Sequence, residues 1–128
     1  STFAGSPVAA AVGSAVLDVI ERERLAEQAE RVGAYLRARL TEVAASQAVI
    51  RQVRGPGLFV GVELDCDAPA QAGIGRAVAN GLRTRGILVG ATGPRLNVIK
   101  IRPPLVFSEA HADRVAAALD AILSTEMG

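Results

Sequence analysis

The segment NVIKIRPPLVF, residues 97–107, carries the single lysine of a chain whose other basic side chains are thirteen arginines. Lys100 and Arg102 stand two apart. In an extended strand that spacing projects both from one face, with Val98 beside them and Ile99 and Ile101 on the other. Two cations on one strand face, just ahead of the rigid Pro103–Pro104 exit, have the chemistry of an anion site. The same residues also describe an edge strand, where solvated cations and proline discourage pairing with another chain. Spacing alone favours that plainer reading.

A second candidate is STFAGSP at the start of the chain. Ser1 and Thr2 are hydroxyls placed ahead of a helix that Ser6 and Pro7 can open, so they could meet a phosphate at a helix N-terminus or simply serve as capping and turn residues. Spacing alone favours capping. The other chemical side chains are weaker candidates. His111 is the one histidine, expected on the exposed side of the last helix, and no Ser, His and Asp set falls together by spacing. Glu63, Asp65 and Asp67 read as a polar strand exit rather than a metal site. RGPG, residues 54–57, resembles a phosphate loop only in its glycines and lacks a following helix, so it reads as a hairpin turn. Cys66 stands alone, which excludes an internal disulfide and a cysteine-based metal site.

Composition bounds the class. Of 128 residues half are apolar and 21% charged, with a formal net charge of +1, as in one soluble globular domain or a piece of a larger protein. Fourteen basic against thirteen acidic residues create no strong field, and three Phe, one Tyr and no Trp leave little for base stacking, so no nucleic-acid partner is expected. Phe3 to Ile20 is apolar but is interrupted by Gly5, Ser6, Pro7, Gly13, Ser14 and Asp18; a buried soluble helix, not a membrane span, is expected. The lone cysteine suits a reducing compartment, and a cytoplasmic location is expected. The chain opens at Ser1 without a signal-like segment and is expected to be the interior or C-terminal part of a longer protein.

These candidates must be positioned by elements that the periodicities outline. Val8, Val12, Val16, Val19 and Ile20 recur at helical spacing and Ala9 to Ala11 make the opposite side apolar, which predicts a helix buried nearly all round. Leu25, Ala29, Val32, Leu36, Leu40 and Val43 make the stripe of a second helix. No convincing breaker separates the two, so one long or bent element is possible. Val49 to Arg54 and LFVGVELD alternate as two strands of a hairpin, with Leu58, Val60, Val62 and Leu64 on one face. Ile74, Val78 and Leu82 mark a third helix closed by Gly86. A short strand ILV, a loop GATGPRL, the strand NVIKI and a last helix capped by Ser108, with Val115, Ala118, Leu119 and Ile122 inward, complete the order. The expected class is α+β, a short and mostly antiparallel sheet with helices on one face. Residues 49 to 124 could bury a core of their own, whereas the first helix needs something further to pack on.

STFAGSPVAAAVGSAVLDVIE resembles the stretch that follows the cofactor lysine in class III aminotransferases, the fold-type I pyridoxal-phosphate enzymes that include the ornithine, acetylornithine and 4-aminobutyrate transaminases. VRGPGLFVGVEL resembles the hairpin of that family's C-terminal small domain, and LNVIKIRPPLVFSEAHADRVAAALDAIL its final strand and helix. GATGPRLNVIKIRPPLVF is most similar to the branch containing alanine-glyoxylate aminotransferase 2 and ethanolamine-phosphate phospho-lyase. The resemblance implies that residues 1–47 are an interdomain helical segment following the cofactor region and residues 48–128 the C-terminal small α+β domain.

It further implies pyridoxal 5'-phosphate as cofactor, a homodimer, and transfer of an amino group from an amino acid or amine to a keto acid. Thr2 falls on the threonine that reaches the cofactor phosphate of the neighbouring subunit, with Ser1 beside it. Lys100 falls where many members place the arginine that holds the substrate α-carboxylate, and Arg102 where they often have a small residue. Lysine is a compact point charge and arginine a planar bidentate donor, so the exchange is not conservative. It opens the pair to a phosphate or a more distant acid group, and to Arg102 taking over the carboxylate. The family's cofactor lysine lies upstream of STF, so no catalytic residue is assigned within this chain and the isolated polypeptide is expected to be inactive. Two alternatives stay open: a phospho-lyase acting on a phosphorylated amino alcohol, and a non-catalytic binding or dimerisation module.

Overall fold

The computed structural model describes residues 4–67 and 73–126. Ser6 opens the first helix, α1 (Pro7–Arg22): its side chain accepts a hydrogen bond from the Ala9 N–H at 3.4 Å, and Pro7 occupies the first turn, where its missing N–H costs nothing. At Arg24 the backbone turns left-handed, with φ 50°, and α2 (Leu25–Ser46) begins. Two helices with a break between them therefore stand where the periodicity left one bent element possible. The second correction concerns burial. No residue of α1 is buried within this chain, and Val8, Val12, Val16 and Leu17 are each more than half exposed. Its all-round apolar surface is left uncovered by the described residues of this chain.

Beyond α2 the chain forms β1 (Ile50–Arg54), β2 (Val60–Leu64), α3 (Ile74–Thr84), β3 (Gly90–Thr92), β4 (Val98–Ile101) and α4 (Glu109–Glu126). The strands make one antiparallel sheet in the order β1-β2-β4-β3. The expected α+β class and the single helical layer hold. The strand read at ILV does not: pairing starts at Gly90, in the segment taken for a loop, because Gly90, Ala91 and Thr92 align with Lys100, Ile99 and Val98. Gly86 ends α3 as expected, at φ 76°, a conformation cheap only for glycine. Ser108 caps α4, its carbonyl accepting from the Ala112 N–H at 3.1 Å.

Strand alternation divides the sheet into two faces. Val60, Val62, Leu64, Ile99 and Ile101 turn inward and meet Leu36 and Leu40 of α2, Val78 and Leu82 of α3, and Leu119 and Ile122 of α4, all buried. Each such side chain contributes about 1.5–3 kcal/mol on leaving water. The core therefore includes α2, which the sequence grouped with residues 1–47. Register across the middle is reinforced at Asn97, whose Nδ2 donates to the Leu64 carbonyl at 2.8 Å while its own carbonyl accepts from the Leu64 N–H at 2.9 Å. Asn97 was not singled out by any periodicity, since its role is to satisfy the end of β2.

The hairpin turn is pinned to α2 by contact of two backbones. A Cβ on Gly33 would stand 2.0 Å from the Gly57 carbonyl oxygen, so only glycine admits the turn at this distance. That same carbonyl accepts from Arg37 Nη1 at 3.1 Å. The turn thus has a defined height above the sheet, and with it the residues that border the opposite face.

Candidate functional site

The face of the sheet turned away from the helices is a small grid set by register. Arg54, Gly61, Lys100 and Gly90 lie in one cross-strand row, and Gln52, Glu63, Val98 and Thr92 in the next. Lys100 thus stands between two glycines. With no side chain on either neighbour, its half-buried aliphatic stem lies low on the sheet, with Cε passing over Gly90. A depression of about 330 Å³ opens here, bordered by Arg54, Pro56, Phe59, Thr92, Val98 and Lys100. Its walls are largely apolar, with two cationic side chains and one hydroxyl.

The cations differ in how much of their charge is spoken for. Arg54 Nη1 pairs with Glu63 and donates to Gln52 Oε1 at 3.0 Å. Lys100 has no carboxylate partner among the described residues. Because β4 lies between β2 and β3, the edge-strand explanation of Lys100 is overturned: an interior strand needs no cation to repel another chain, so the charge must be accounted for otherwise.

Arg102 shares the open face with Lys100 but does not border the same depression. It is exposed, sits one residue past β4, and places its guanidinium carbon 5.8 Å from the centroid of the Phe59 ring. On its other side it borders a second hollow, of about 370 Å³, with Pro103, Phe107, His111 and Arg114. His111 is exposed as expected, yet engaged: its Nδ1 accepts from the Ser108 N–H at 3.2 Å and lies 3.0 Å from Ser108 Oγ, and its ring rests against Phe107. Its place is in the cap of α4, with no carboxylate bonded to it among the described residues.

The carboxylates after β2 are neutralised as a strand exit would be. Asp67 is bonded by Arg95 and by Arg51, which hold it below the usual carboxylate range, and Arg51 also reaches Asp65 at 3.3 Å. Among the described residues no group of acidic, histidine or cysteine side chains is placed to hold a metal ion, and no helix is long and apolar enough to cross a membrane. Ser1 and Thr2 lie outside the described residues.

Phe59, Gly61, Gly90 and Thr92 were not singled out in the sequence. The alternation that sends Leu58, Val60, Val62 and Leu64 inward already implied that Phe59 and Gly61 share the opposite face. Gly90 and Thr92 carried no such signal, since their strand was not recognised.

A short antiparallel sheet with helices on one face and a cation-bearing face left open is an arrangement this chain shares with fold-type I pyridoxal-phosphate enzymes. The chain belongs to the class III aminotransferases: the family model described as "Aminotransferase class-III" matches residues 1–123. It is 40% identical over 128 residues to alanine–glyoxylate aminotransferase 2 homolog 2, mitochondrial, of Arabidopsis thaliana, covering 97% of this chain and 27% of that protein. A solved phospholyase from Arthrobacter in complex with phosphoethanolamine superposes with a TM-score of 0.88 at 36% identity, over 96% of this chain and 30% of the other. An amine transaminase from an uncultivated Pseudomonas species in its PLP-bound form superposes at 0.84 with 34% identity, over 97% and 29%. The chain therefore spans under a third of the length of these relatives.

Pyridoxal phosphate is the cofactor of this family. In this chain two hydroxyl residues, Ser1 and Thr2, precede in sequence a 16-residue helix whose N-terminus is capped by Ser6.

Proposed function

We propose that this polypeptide is the C-terminal part of a pyridoxal-phosphate enzyme that transfers an amino group from an amino acid or amine to a keto acid, and that Lys100 receives the anionic end of the substrate. The observation that carries the reading is the setting of Lys100, a cation with no carboxylate partner among the described residues, held in an interior strand between Gly61 and Gly90. When bound, pyridoxal phosphate supplies an electron sink for breaking a bond at the substrate carbon that bears nitrogen. Thr2, with Ser1 beside it, would hold the phosphate of the cofactor in the neighbouring subunit of a homodimer. Lys100 supplies a point charge over an apolar floor, where attraction to an anion is screened less than in open water. Residues 1–47 then serve as the interdomain segment, with its α2 packed into the core of the small domain of residues 48–128, in a protein of the cytoplasm.

A second reading is favoured by one specific feature. Lysine in place of a bidentate arginine suits a tetrahedral phosphate better than a planar carboxylate, and a solved neighbour at 36% identity is a phospholyase holding phosphoethanolamine. In that case the substrate is a phosphorylated amino alcohol and phosphate is expelled.

Full-length enzyme loaded with cofactor discriminates these readings. Inorganic phosphate released from phosphoethanolamine assigns the lyase, and keto-acid-dependent amino transfer from L-alanine or another donor assigns the transferase. Neither reaction across a donor panel leaves the non-catalytic module. In the active case Lys100→Ala should raise KM for the anionic substrate about tenfold or more, the scale of one lost charge-assisted hydrogen bond. An unchanged KM removes Lys100 from the site.

A further inference from the structure

Phe59 has no role in the packed core. Its neighbours Leu58 and Val60 are buried, whereas Phe59 is 52% exposed on the open face. A half-exposed phenyl ring on a strand that carries the hydrophobic pattern on its other side does little for stability. What the ring touches is Arg102. Extending the β2–β4 register by one pair beyond Val60 and Ile101 sets Phe59 opposite Arg102, and the guanidinium carbon lies 5.8 Å from the ring centroid, within cation–π range. Arg102 has no carboxylate partner among the described residues. Its charge is therefore oriented by the ring without being neutralised, which is what a residue awaiting an anion requires.

The ring also borders the depression around Lys100, while Arg102 borders the hollow on the far side. Phe59 thus lines the Lys100 depression and also lies against the Arg102 guanidinium at its rim. Its own position is set from behind, since the GPG turn before it is held to α2 by the Gly33 contact and the Arg37 hydrogen bond to the Gly57 carbonyl. A Cβ on Gly55 would stand 1.9 Å from the Phe59 carbonyl oxygen, so the turn and the Phe59 backbone fit only in this arrangement.

We propose that Phe59 is a positioning residue: by stacking under Arg102 it holds that guanidinium on the open face beside Lys100, so that the two cations address one anionic group of the substrate. This rests on the assignment of Lys100 to the substrate anion, and the experiment separates the two. In the full-length holoenzyme, KM is measured for an amino donor that carries an anionic group (phosphoethanolamine or L-alanine, whichever is turned over) and for 1-propylamine, which carries none; where turnover is slow, the dissociation constant of inorganic phosphate is measured by calorimetry.

Phe59→Leu keeps an apolar side chain but removes the ring face, and should weaken the anionic ligand about three- to fivefold, sparing the amine that has no anionic group. Phe59→Trp should restore binding. In an Arg102→Ala background, Phe59→Leu should have no further effect, because the residue acts only through the guanidinium. Equal losses from Phe59→Leu and Phe59→Trp, or independent losses that multiply in the double variant, overturn the proposal. If Lys100→Ala and Arg102→Ala themselves leave the anionic ligand unaffected, the assignment of the site fails, and this proposal with it. A response to those two variants with none to Phe59→Leu overturns the role of Phe59 alone.

Discussion

The two faces of the sheet are built from the same short strands and differ in almost every physical respect. On β4, Ile99 and Ile101 are packed under three helices, while Val98 and Lys100, one residue away on the same backbone, border an open depression. The inner face is held by dispersion and burial and is insensitive to charge. The outer face contributes little to the core and is free to carry a cation without a carboxylate partner among the described residues. The site proposed for this chain lies on the surface that the core does not use, and the strand period of two places the two surfaces within a single residue of each other.

That contrast can be broken most directly by paired truncations. Ile99→Ala should destabilise the protein by about 2–5 kcal/mol, because it leaves a cavity between the sheet and its helices. Val98→Ala, on the half-buried open face, should cost less than about 1 kcal/mol. Chemical denaturation of both variants checks the difference; similar losses would mean that the outer face is as tightly packed as the inner one. Next in size is Gly33→Ala. Its new Cβ would meet the Gly57 carbonyl at 2.0 Å, and relief requires the turn to move, at a cost of about 1–3 kcal/mol. Since the turn carries Pro56 and Phe59, KM for the substrate should rise together with the loss of stability. A loss of stability alone would show that the turn does not set the site.

The smallest effect is expected at Asp67. Its bonds to Arg95 and Arg51 lower its pKa in the folded protein. The stabilisation is therefore present above the ordinary carboxylate pKa, near ~3.9, and is lost as pH falls through the lower folded value. Asp67→Asn should flatten the acid limb of the stability profile slightly and leave neutral-pH kinetics unchanged. A change in substrate KM at neutral pH would extend the site to the strand exit.

Much of the inner face was legible without coordinates. Leu58, Val60, Val62 and Leu64 alternate, Ile74, Val78 and Leu82 recur at helical spacing, and all are buried as that pattern demands, because burial writes a period into a chain. Ser6, Gly86 and Ser108 were legible for a related reason, since each satisfies a local backbone requirement at a helix end. The strand at Gly90–Thr92 was missed because three small or polar residues without an apolar period leave no such mark, and its pairing depends on β4 alone. The exposure of α1 was likewise misread. Apolar residues all round a helix predict burial, whereas the described residues of this chain leave α1 exposed.

The sequence by itself determined the class of the fold, the family, and the presence of one lysine and one arginine two residues apart. Only the tertiary structure decided that their strand lies in the middle of the sheet, that two glycines from neighbouring strands flank the lysine, and that an aromatic ring just before β2 lies against the arginine. The physical reason is one of range. Alternation and capping are local and repeat along the chain, whereas strand order and cross-strand neighbours arise from pairings between residues some forty positions apart, as with Gly61 and Lys100, which no local period records.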